Sequence, residues 1–349
     1  MLRVGVIGAS GYAGAELVRY LILHPSVEIT YLASSTYDNK PLSDAFPSFL
    51  GFDLPICKEY NAKEAVDCAD FFFTAQGNGV GMQIIPELIE NGKKVVDIPA
   101  DFRIKDPNIY KHYYKMEHTA IDLLKEAVYG LCELHSLDIV DARLVANPGC
   151  YSTCSILALA PLAAKNIVDV NTIIVDAKSG VSGAGRSKPS VSSMYCEINE
   201  GFKAYAVATH RHTAEIEQEL SEQSGKVVSV NFTPHLIPMN RGILTTSYAC
   251  MNEDSLMTTQ ELIELYKKFY LGCTFIRILD EGEQPNTKNV FGTNFCHIGI
   301  VVDSRTKRVI VTSAIDNMGK GAAGQAVQNM NIMFGLDETT GLMIPAVYP

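Results

Sequence analysis

The sequence predicts an α/β fold, with a doubly wound, Rossmann-type nucleotide-binding domain followed by an α+β domain that has a mixed sheet. Up to about Pro148, short apolar runs alternate with segments whose apolar residues recur at helical spacing, which is typical of a parallel sheet covered by helices. Beyond Pro148, longer strand-like segments follow one another with few helices between them, which indicates an antiparallel or mixed sheet. A chain of 349 residues is long enough for two domains.

The first domain is expected to contain four strands and two helices. The apolar runs are as short as buried parallel strands usually are, and they cover 2–8, 27–34, 69–75 and 93–99. Apolar residues at helical spacing predict helices over 12–24 and 80–92. The second helix ends at Asn91-Gly92, a common stop signal.

The second domain is expected to begin with a helix over 151–165. Strand-like segments then cover 171–181, 226–238, 242–251 and 295–303. A last helical pattern over 317–336 has no strand partner of its own, so we expect it to pack back on the first domain. The predicted limits are 1–149 with 317–349 for the nucleotide domain and 150–316 for the other. Segments 179–193 and 282–294, rich in Gly, Ser, Pro and Asn, are predicted to be long active-site or interface loops.

Composition excludes several classes of protein. The net charge is −10 and no run of lysine or arginine would follow a phosphate backbone, so nucleic acid is not an expected partner. The opening "MLRVGVIGASG" has the pattern of neither a signal peptide nor a membrane span, which predicts a cytoplasmic protein without a membrane partner. Nine cysteines without a C-x-x-C pair indicate reduced thiols rather than disulfides or a zinc site.

A glycine-rich turn joins the first predicted strand to the first predicted helix. Gly8, Gly11 and Gly14 follow a G-x-x-G-x-x-G spacing, with Ser10 where the common dinucleotide pattern has its second glycine. Such glycines permit a tight turn and the close approach of a pyrophosphate to a helix N-terminus. The candidate nucleotide loop also includes Tyr12 and Ala13.

The end of the second strand indicates which dinucleotide binds. An NAD site has an acidic residue there for the ribose 2′-hydroxyl. This chain has Ser34 and Ser35, with Lys40 close behind and Asp38 only later. Hydroxyls with a cation suit a 2′-phosphate, so the sequence predicts NADP(H).

"ANPGCYST" places Cys150 at the start of a helix, directly after turn residues Asn147, Pro148 and Gly149. The helix dipole and the free N–H groups at that end favour a thiolate and lower the thiol pKa. Cys150 is therefore the candidate nucleophile, whereas Cys154, one turn later, is expected to pack inward.

"THRHTAEIEQEL" supplies candidate proton carriers in His210 and His212, because imidazole titrates near neutral pH. If the two lie on a strand, they point to opposite sides, so at most one faces Cys150. No compact third ligand accompanies them, so a zinc site is not expected.

An anionic substrate calls for arginine. Arg103 follows a predicted strand at its carboxyl end, where open α/β sheets bind ligands. Arg186 lies in a glycine-rich loop and Arg241 precedes a strand. We expect Arg103 to make the main contact with phosphate or carboxylate.

Seven segments together resemble the N-acetyl-gamma-glutamyl-phosphate reductase family of arginine biosynthesis and, more distantly, aspartate-semialdehyde dehydrogenases and the glyceraldehyde-phosphate dehydrogenase type of fold. They occur in the order typical of that family: "GASGYAGAELVRYL", "ADFRI", "ANPGCYST", "SGVSGAGR", "HRHTAEIEQEL", "HLIPMNRGIL" and "DNMGKGAAGQAVQNMNIMFG". At Ser152 and Cys154 the chain departs from residues more usual in that family's cysteine motif.

The resemblance implies an NADPH-dependent reductase that forms a thioester on Cys150, with a base in the "HRH" segment and Asn317 near the nicotinamide. By analogy with aspartate-semialdehyde dehydrogenases, we expect His212 rather than His210 to be that base. It also implies an acyl phosphate substrate and a homo-oligomer, dimer or tetramer, built through the second domain. Two alternatives stay open: a similar reductase of lysine biosynthesis that acts on a carrier-bound aminoadipyl phosphate, and an NADP(H) sensor without catalysis.

Overall fold

Two separate sheets contain the strands of the computed structural model, which describes residues 1–186 and 194–348. The chain divides into two compact units. Unit 1 consists of Met1–Pro148, Gly185–Ser187 and Ala322–Met343, and unit 2 of Gly149–Ala184, Lys188–Gly321 and Ile344–Pro349. The predicted loop 179–193 is described as far as Arg186, and its remainder, 187–193, lies outside the described residues.

Unit 1 is built on a six-stranded sheet in the order β2-β1-β3-β4-β6-β5, in which every pair is parallel. Its strands are β1 (Leu2–Ile7), β2 (Val27–Ala33), β3 (Phe71–Thr74), β4 (Lys94–Asp97), β5 (Val128–Tyr129) and β6 (Leu144–Ala146). β3 is buried along its whole length, as expected of a strand covered on both faces. The chain leaves β1 towards β2 on one side and β3 lies on the other, so the turn after β1 is at the topological switch point, where such sheets bind ligands.

Within residues 1–186 and 194–348, seven α-helices belong to unit 1. They are α1 (Tyr12–Ile22), α2 (Ala62–Cys68), α3 (Gly81–Glu90), α4 (Pro107–Tyr114), α5 (Ile121–Glu126), α6 (Cys132–Asp141) and α11 (Gly324–Met333). α11 is tied to the unit through Asn329, whose amide donates to the Gly130 carbonyl at 2.9 Å and to Asn147 Oδ1 at 3.1 Å.

Unit 2 contains a mixed seven-stranded sheet in the order β11-β12-β13-β10-β7-β9-β8. The pairs β11–β12 and β7–β9 are parallel and the other pairs are antiparallel. Its strands are β7 (Ile174–Ser179), β8 (Lys203–Ala204), β9 (Asn231–Leu236), β10 (Ile243–Cys250), β11 (Ile276–Ile278), β12 (Cys296–Asp303) and β13 (Arg308–Ile315). Its helices are α7 (Cys150–Ala164), α8 (Tyr195–Ile198), α9 (His212–Ser224) and α10 (Thr259–Phe269).

α7 is the central helix of unit 2, and every residue from Tyr151 to Ala163 is buried. A helix without a polar face is enclosed on all sides. Pro161 lies inside it and has no N–H for the carbonyl of Leu157 four residues earlier. The Tyr270 hydroxyl donates to that carbonyl at 2.7 Å and replaces the missing bond. The helix that carries Cys150 is therefore held rigidly despite its internal proline.

The predicted fold class is confirmed, and the predicted strands and helices of both parts lie within a few residues of those observed. One predicted helix differs: segment 317–336 begins with a π-helical turn, Gly319–Ala323, before α11. The strands β5, β6, β8, β11 and β13 were not predicted, and neither were several helices, α10 among them. The predicted domain limits stay a prediction.

Candidate active site

Cys150 is the first residue of α7 and is partly exposed. Gly149 precedes it as the N-cap with an extended backbone and, as a glycine, has no side chain that could cap the helix. The N–H groups of a first helical turn point out of the helix end and attract anions. Cys154, by contrast, is fully buried, contacts the Ser313 hydroxyl at 3.1 Å, and has its pKa raised to about 11 by burial. The local setting therefore distinguishes a partly exposed thiol from an enclosed one.

Glu215 connects the start of α7 with the start of α9. Its side chain is fully buried, and Oε2 accepts the Gly149 N–H at 2.9 Å. The other oxygen, Oε1, lies 3.9 Å from Nε2 of His212, the first residue of α9. One carboxylate therefore orients the turn before Cys150 and faces the imidazole of His212.

His210 and His212 do not lie on a strand, so the alternation argument was wrong. His210 precedes α9 and His212 begins it. Their ring centroids are 4.7 Å apart, and both rings contact Tyr151, at 5.5 and 5.9 Å. Tyr151 follows Cys150 directly, so both histidines are near the helix start that bears the thiol.

The two histidines have different environments. Nδ1 of His210 accepts the backbone N–H of His212 at 3.1 Å, so it serves as a cap of α9. Burial, together with the charges of His212 and Arg211, lowers the pKa of His210 to about 2. His210 is consequently neutral at physiological pH. The side chain of His212 retains 15% exposure, and its Nε2 faces Glu215 at 3.9 Å.

Tyr151 is held by two hydroxyl contacts. Its hydroxyl donates to the His235 carbonyl at 3.1 Å and accepts from Tyr205 at 3.2 Å. Burial raises the pKa of Tyr151 and raises that of Tyr205 to about 12, so both phenols stay protonated. This pair fixes the aromatic wall against which the histidines pack.

Gly321 packs directly on Cys150. A Cβ at position 321 would lie 2.8 Å from Cys150 Cβ and 3.3 Å from the Asp316 carbonyl oxygen. Its N–H donates to that same carbonyl at 3.0 Å, within the π-helical turn. Only glycine fits this position without displacing the cysteine.

Arg241 is oriented by Asp316, which is fully buried. Asp316 Oδ1 accepts Arg241 Nη2 at 2.9 Å and Nε at 3.2 Å, and also the N–H groups of Met318 and Gly319. The guanidinium retains 20% exposure. Asn317, which is buried, accepts the Gly242 N–H at 2.7 Å. This network fixes a partly exposed cation within unit 2.

The glycine-rich turn of unit 1 has the form that a bound pyrophosphate needs. Gly8 has φ +94°, and a Cβ there would lie 2.7 Å from the Ala75 carbonyl oxygen. A Cβ on Gly14 would collide with the Gly8 carbonyl. Gly11 is the N-cap of α1, without a side-chain cap. The remaining loop residues are Tyr12, which begins α1 and is 40% exposed, and Ala13, which is partly exposed.

The hydroxyls of Ser10 and Ser34 are 2.7 Å apart and connect the turn to the end of β2. Ser35 and Lys40 are exposed nearby in the chain. The carboxylate of Asp38 accepts the Glu59 N–H and the Asn39 amide, each at 2.7 Å. The nearest acid along the chain after β2 is thus engaged within its own loop.

The structure places the other two predicted substrate arginines in unit 1. Arg103 is 7% exposed and donates to the Ile98 carbonyl. Burial and the charge of Asp101 raise the pKa of Asp97, and the nearby Arg103 opposes that rise. Arg186 contacts the glycine-rich turn, since Nη1 donates to the Ser10 carbonyl at 3.1 Å. Neither arginine is in the unit that contains Cys150.

Sequence analysis missed Gly321 and Asp316 and assigned no role to Glu215, Tyr151 or Tyr205. One signal for Glu215 is present, because an acid three residues after His212 in a helix lies one turn away from it. For Asp316 the signal is its position next to Asn317 at the start of the segment "DNMGKGAAGQAVQNMNIMFG".

Comparison with known proteins identifies the class. Residues 3–142 match the family model described as semialdehyde dehydrogenase, NAD binding domain, and residues 150–317 match semialdehyde dehydrogenase, dimerisation domain. Among solved structures, aspartate semialdehyde dehydrogenase II from Vibrio cholerae superimposes with a TM-score of 0.73 at 16% identity, covering 96% of this chain and 99% of that one. The enzyme of the same type with NADP from Candida albicans gives 0.70 at 17% identity, with coverage of 96% and 99%. The fold is that of a semialdehyde dehydrogenase.

Curated relatives define the family more closely. The N-acetyl-gamma-glutamyl-phosphate reductases of Desulforamulus reducens and Acetivibrio thermocellus are 53% and 50% identical, with all of each chain covered. That of Thermoanaerobacter sp. is 51% identical over the full length of both chains. The chain belongs to the N-acetyl-gamma-glutamyl-phosphate reductase family. Among the helices of residues 1–186 and 194–348, none is long and apolar enough to cross a membrane.

Proposed function

We propose that this protein reduces N-acetyl-L-glutamyl 5-phosphate with NADPH, giving N-acetyl-L-glutamate 5-semialdehyde and phosphate, as a step of arginine biosynthesis. The observation that carries the proposal is Cys150, partly exposed at the start of α7 and linked through Glu215 to His212. The names of relatives about half identical over the whole chain support the substrate.

Unit 1 is proposed as the nucleotide domain and unit 2 as the catalytic and oligomerisation domain. The residues of unit 1 fit the dinucleotide: a turn in which side chains are excluded at Gly8 and Gly14 leaves room for a pyrophosphate. The hydroxyl of Ser34 directly follows β2 and lies 2.7 Å from that of Ser10 in the glycine-rich turn. Gly11, Tyr12 and Ala13 line the helix start, and Ser35 and Lys40 are the predicted 2′-phosphate contacts. When bound, NADPH supplies the hydride.

Cys150 is proposed to attack the acyl carbon of the substrate. The sulfur–carbon bond forms, the bond from carbon to the phosphate oxygen breaks, and phosphate leaves with the electron pair, so that a thioester remains. The N–H groups at the start of α7 are proposed to stabilise the oxyanion of this step. After reduction to a thiohemiacetal, the carbon–sulfur bond breaks and releases the semialdehyde and the Cys150 thiolate.

His212 is proposed as the proton carrier. It accepts the thiol proton, donates a proton to the reduced oxygen, and takes it back when the aldehyde forms. His210 is less suited, because its Nδ1 already accepts the His212 N–H and its pKa of about 2 keeps it neutral. Separate His212→Asn and His210→Asn variants test this. A larger loss of kcat in His210→Asn would reverse the assignment.

Arg241 and Arg103 are the proposed contacts for the anionic groups of the substrate. Arg241 has the better support, since it is partly exposed and is fixed by Asp316 in the unit of Cys150. Asn317, in the same network, is proposed to lie near the nicotinamide. Arg241→Lys and Arg103→Lys separate the two arginines: the variant of the true contact raises KM for the acyl phosphate.

The protein is proposed to be a homo-oligomer, a dimer or tetramer, built through unit 2, since residues 150–317 match a dimerisation domain. Light scattering of the purified protein measures the state. A cytoplasmic location is also proposed, because nine cysteines without a C-x-x-C pair suit a reducing compartment.

Replacement of Cys150 by serine tests the proposed function. We expect turnover to be abolished while NADPH binding, measured by fluorescence, is unchanged. Retention of near wild-type turnover would refute the covalent mechanism. A parallel assay of phosphate-dependent NADP reduction, with N-acetyl-glutamate semialdehyde and with carrier-bound aminoadipate semialdehyde, identifies the acyl group.

A further inference from the structure

Arg186 lies on the nucleotide loop of unit 1, although it is distant from that loop in sequence. Nη1 donates to the Ser10 carbonyl at 3.1 Å, and Nη2 donates to the Tyr37 hydroxyl at 3.2 Å and the Ala45 carbonyl at 3.1 Å. Its guanidinium carbon is 4.5 Å from the Phe46 ring centroid. A side chain with this many partners has a fixed position.

The charge of Arg186 is not neutralised by these contacts. Its partners are two carbonyls, a phenol and an aromatic face, and within residues 1–186 and 194–348 no carboxylate forms an ion pair with it. A guanidinium has five N–H donors, and the three bonds above leave two for another acceptor. A fixed cation with spare donors is suited to binding an anion.

The position of Arg186 indicates which anion. Its partner Ser10 is 2.7 Å from Ser34, hydroxyl to hydroxyl, at the end of β2. Tyr37, its other partner, donates its backbone N–H to the Ser34 hydroxyl at 3.2 Å. In nucleotide-binding folds of this kind the end of the second strand faces the ribose 2′ position, and an arginine there accommodates a 2′-phosphate.

We propose that Arg186 is the cation that recognises the 2′-phosphate of NADP(H) and so determines the preference for NADP(H) over NAD(H). This inference rests on the proposed function, and it assigns Arg186 to the cofactor rather than to the acyl phosphate. Ser10 and Ser34 supply the hydroxyls of the same subsite. Lys40 is exposed and is expected to add long-range attraction rather than a fixed contact.

Binding of two nucleotide fragments isolates the 2′-phosphate. Adenosine 2′,5′-bisphosphate and AMP differ only in that group, and calorimetry gives Kd for each without turnover. We expect Arg186→Ala to raise Kd for the bisphosphate about 10- to 100-fold and Kd for AMP less than threefold. Arg186→Lys, which keeps the charge but not the fork of donors, should fall between. The matched control is Arg143→Ala, which removes an exposed arginine of unit 1 paired with Glu126 and should change neither Kd.

Each outcome has one meaning. Equal weakening of both fragments, or of neither, overturns the role of Arg186. The role is also overturned if Arg186→Ala raises KM for phosphate in the oxidative direction while bisphosphate binding is unchanged. That result would mean that Arg186 binds the substrate rather than the cofactor. If the wild-type protein itself binds both fragments equally, the NADP(H) part of the proposed function fails. If Arg186→Ala does not fold, Arg186→Lys and Arg186→Gln decide by the same ratio of dissociation constants.

Discussion

Replacing Gly321 by alanine should displace Cys150 and slow its chemistry without removing any chemical group. The added methyl carbon would be 2.8 Å from Cys150 Cβ and 3.3 Å from Cys150 Cα. Carbon atoms in contact prefer about 3.5–4.0 Å, so one side has to move by roughly 1 Å. The other neighbour, the Asp316 carbonyl, is at 3.3 Å and leaves no free direction.

The size of the effect follows from that displacement. A misplacement of about 1 Å in a catalytic group costs on the order of 100-fold in rate, and overpacking a buried site costs about 1–3 kcal/mol of stability. We therefore expect kcat/KM to fall about 100-fold in a protein that still folds. The rate at which iodoacetamide alkylates Cys150, followed by peptide mass analysis, should change in the same variant.

Gly299→Ala is the matched control for Gly321→Ala. A Cβ at position 299 would lie 3.0 Å from Gln284 Oε1 and from the Glu283 carbonyl, so it crowds unit 2 at residues other than Cys150. It should lower the unfolding midpoint but leave kcat/KM and alkylation of folded protein unchanged. Wild-type alkylation and kcat/KM in a folded Gly321→Ala variant would show that this contact does not position the nucleophile.

Three further variants test the groups around the thiol. Glu215→Gln removes a charge 3.9 Å from His212 Nε2. At an effective dielectric of 20 that charge stabilises an imidazolium by up to about 4 kcal/mol, so we expect kcat to fall about 10- to 100-fold with unchanged NADPH affinity. An equal loss of nucleotide binding would contradict a local role of Glu215. Asp316→Asn breaks the ion pair of a buried carboxylate with Arg241, so the free energy of unfolding measured in urea should fall by about 3 kcal/mol. KM for the acyl phosphate should also rise. An unchanged KM would mean that Arg241 does not bind substrate. The pKa of His210 falls from 6.5 to about 2 on folding, so its contribution to stability is complete above pH 6.5 and declines as pH falls towards 2. The unfolding free energy of His210→Asn should therefore fall less steeply than that of the wild type between pH 6.5 and 5, by up to about 1.4 kcal/mol per pH unit. The same slope in both proteins, measured by urea titration at each pH, would contradict a buried neutral histidine.

Local features of the chain were predictable and long-range ones were not. The start of α7 follows from adjacent turn residues, and the parallel strands of unit 1 follow from short apolar runs. α10 was missed although Thr258 and Glu261 form a capping box at its start. Alternation on a strand does not apply to the two histidines, because His210 caps α9 and His212 begins it. Glu215 bonds to a residue 66 positions away and Asp316 to one 75 positions away, and no local pattern reports such contacts.

Two of the buried acids of unit 2, Glu215 and Asp316, are better explained by positioning than by stability alone. Burying a carboxylate costs several kcal/mol, and a buried ion pair seldom returns more than an apolar pair of the same volume would. Glu215 and Asp316 are both fully buried, and each reduces that cost by accepting backbone N–H groups. In return, each presents its remaining negative charge to one group of the site, His212 or Arg241. Replacing either acid alone by an apolar residue would leave backbone N–H groups and a facing cation or imidazole without their partner, so stability and the orientation of the site should be lost together.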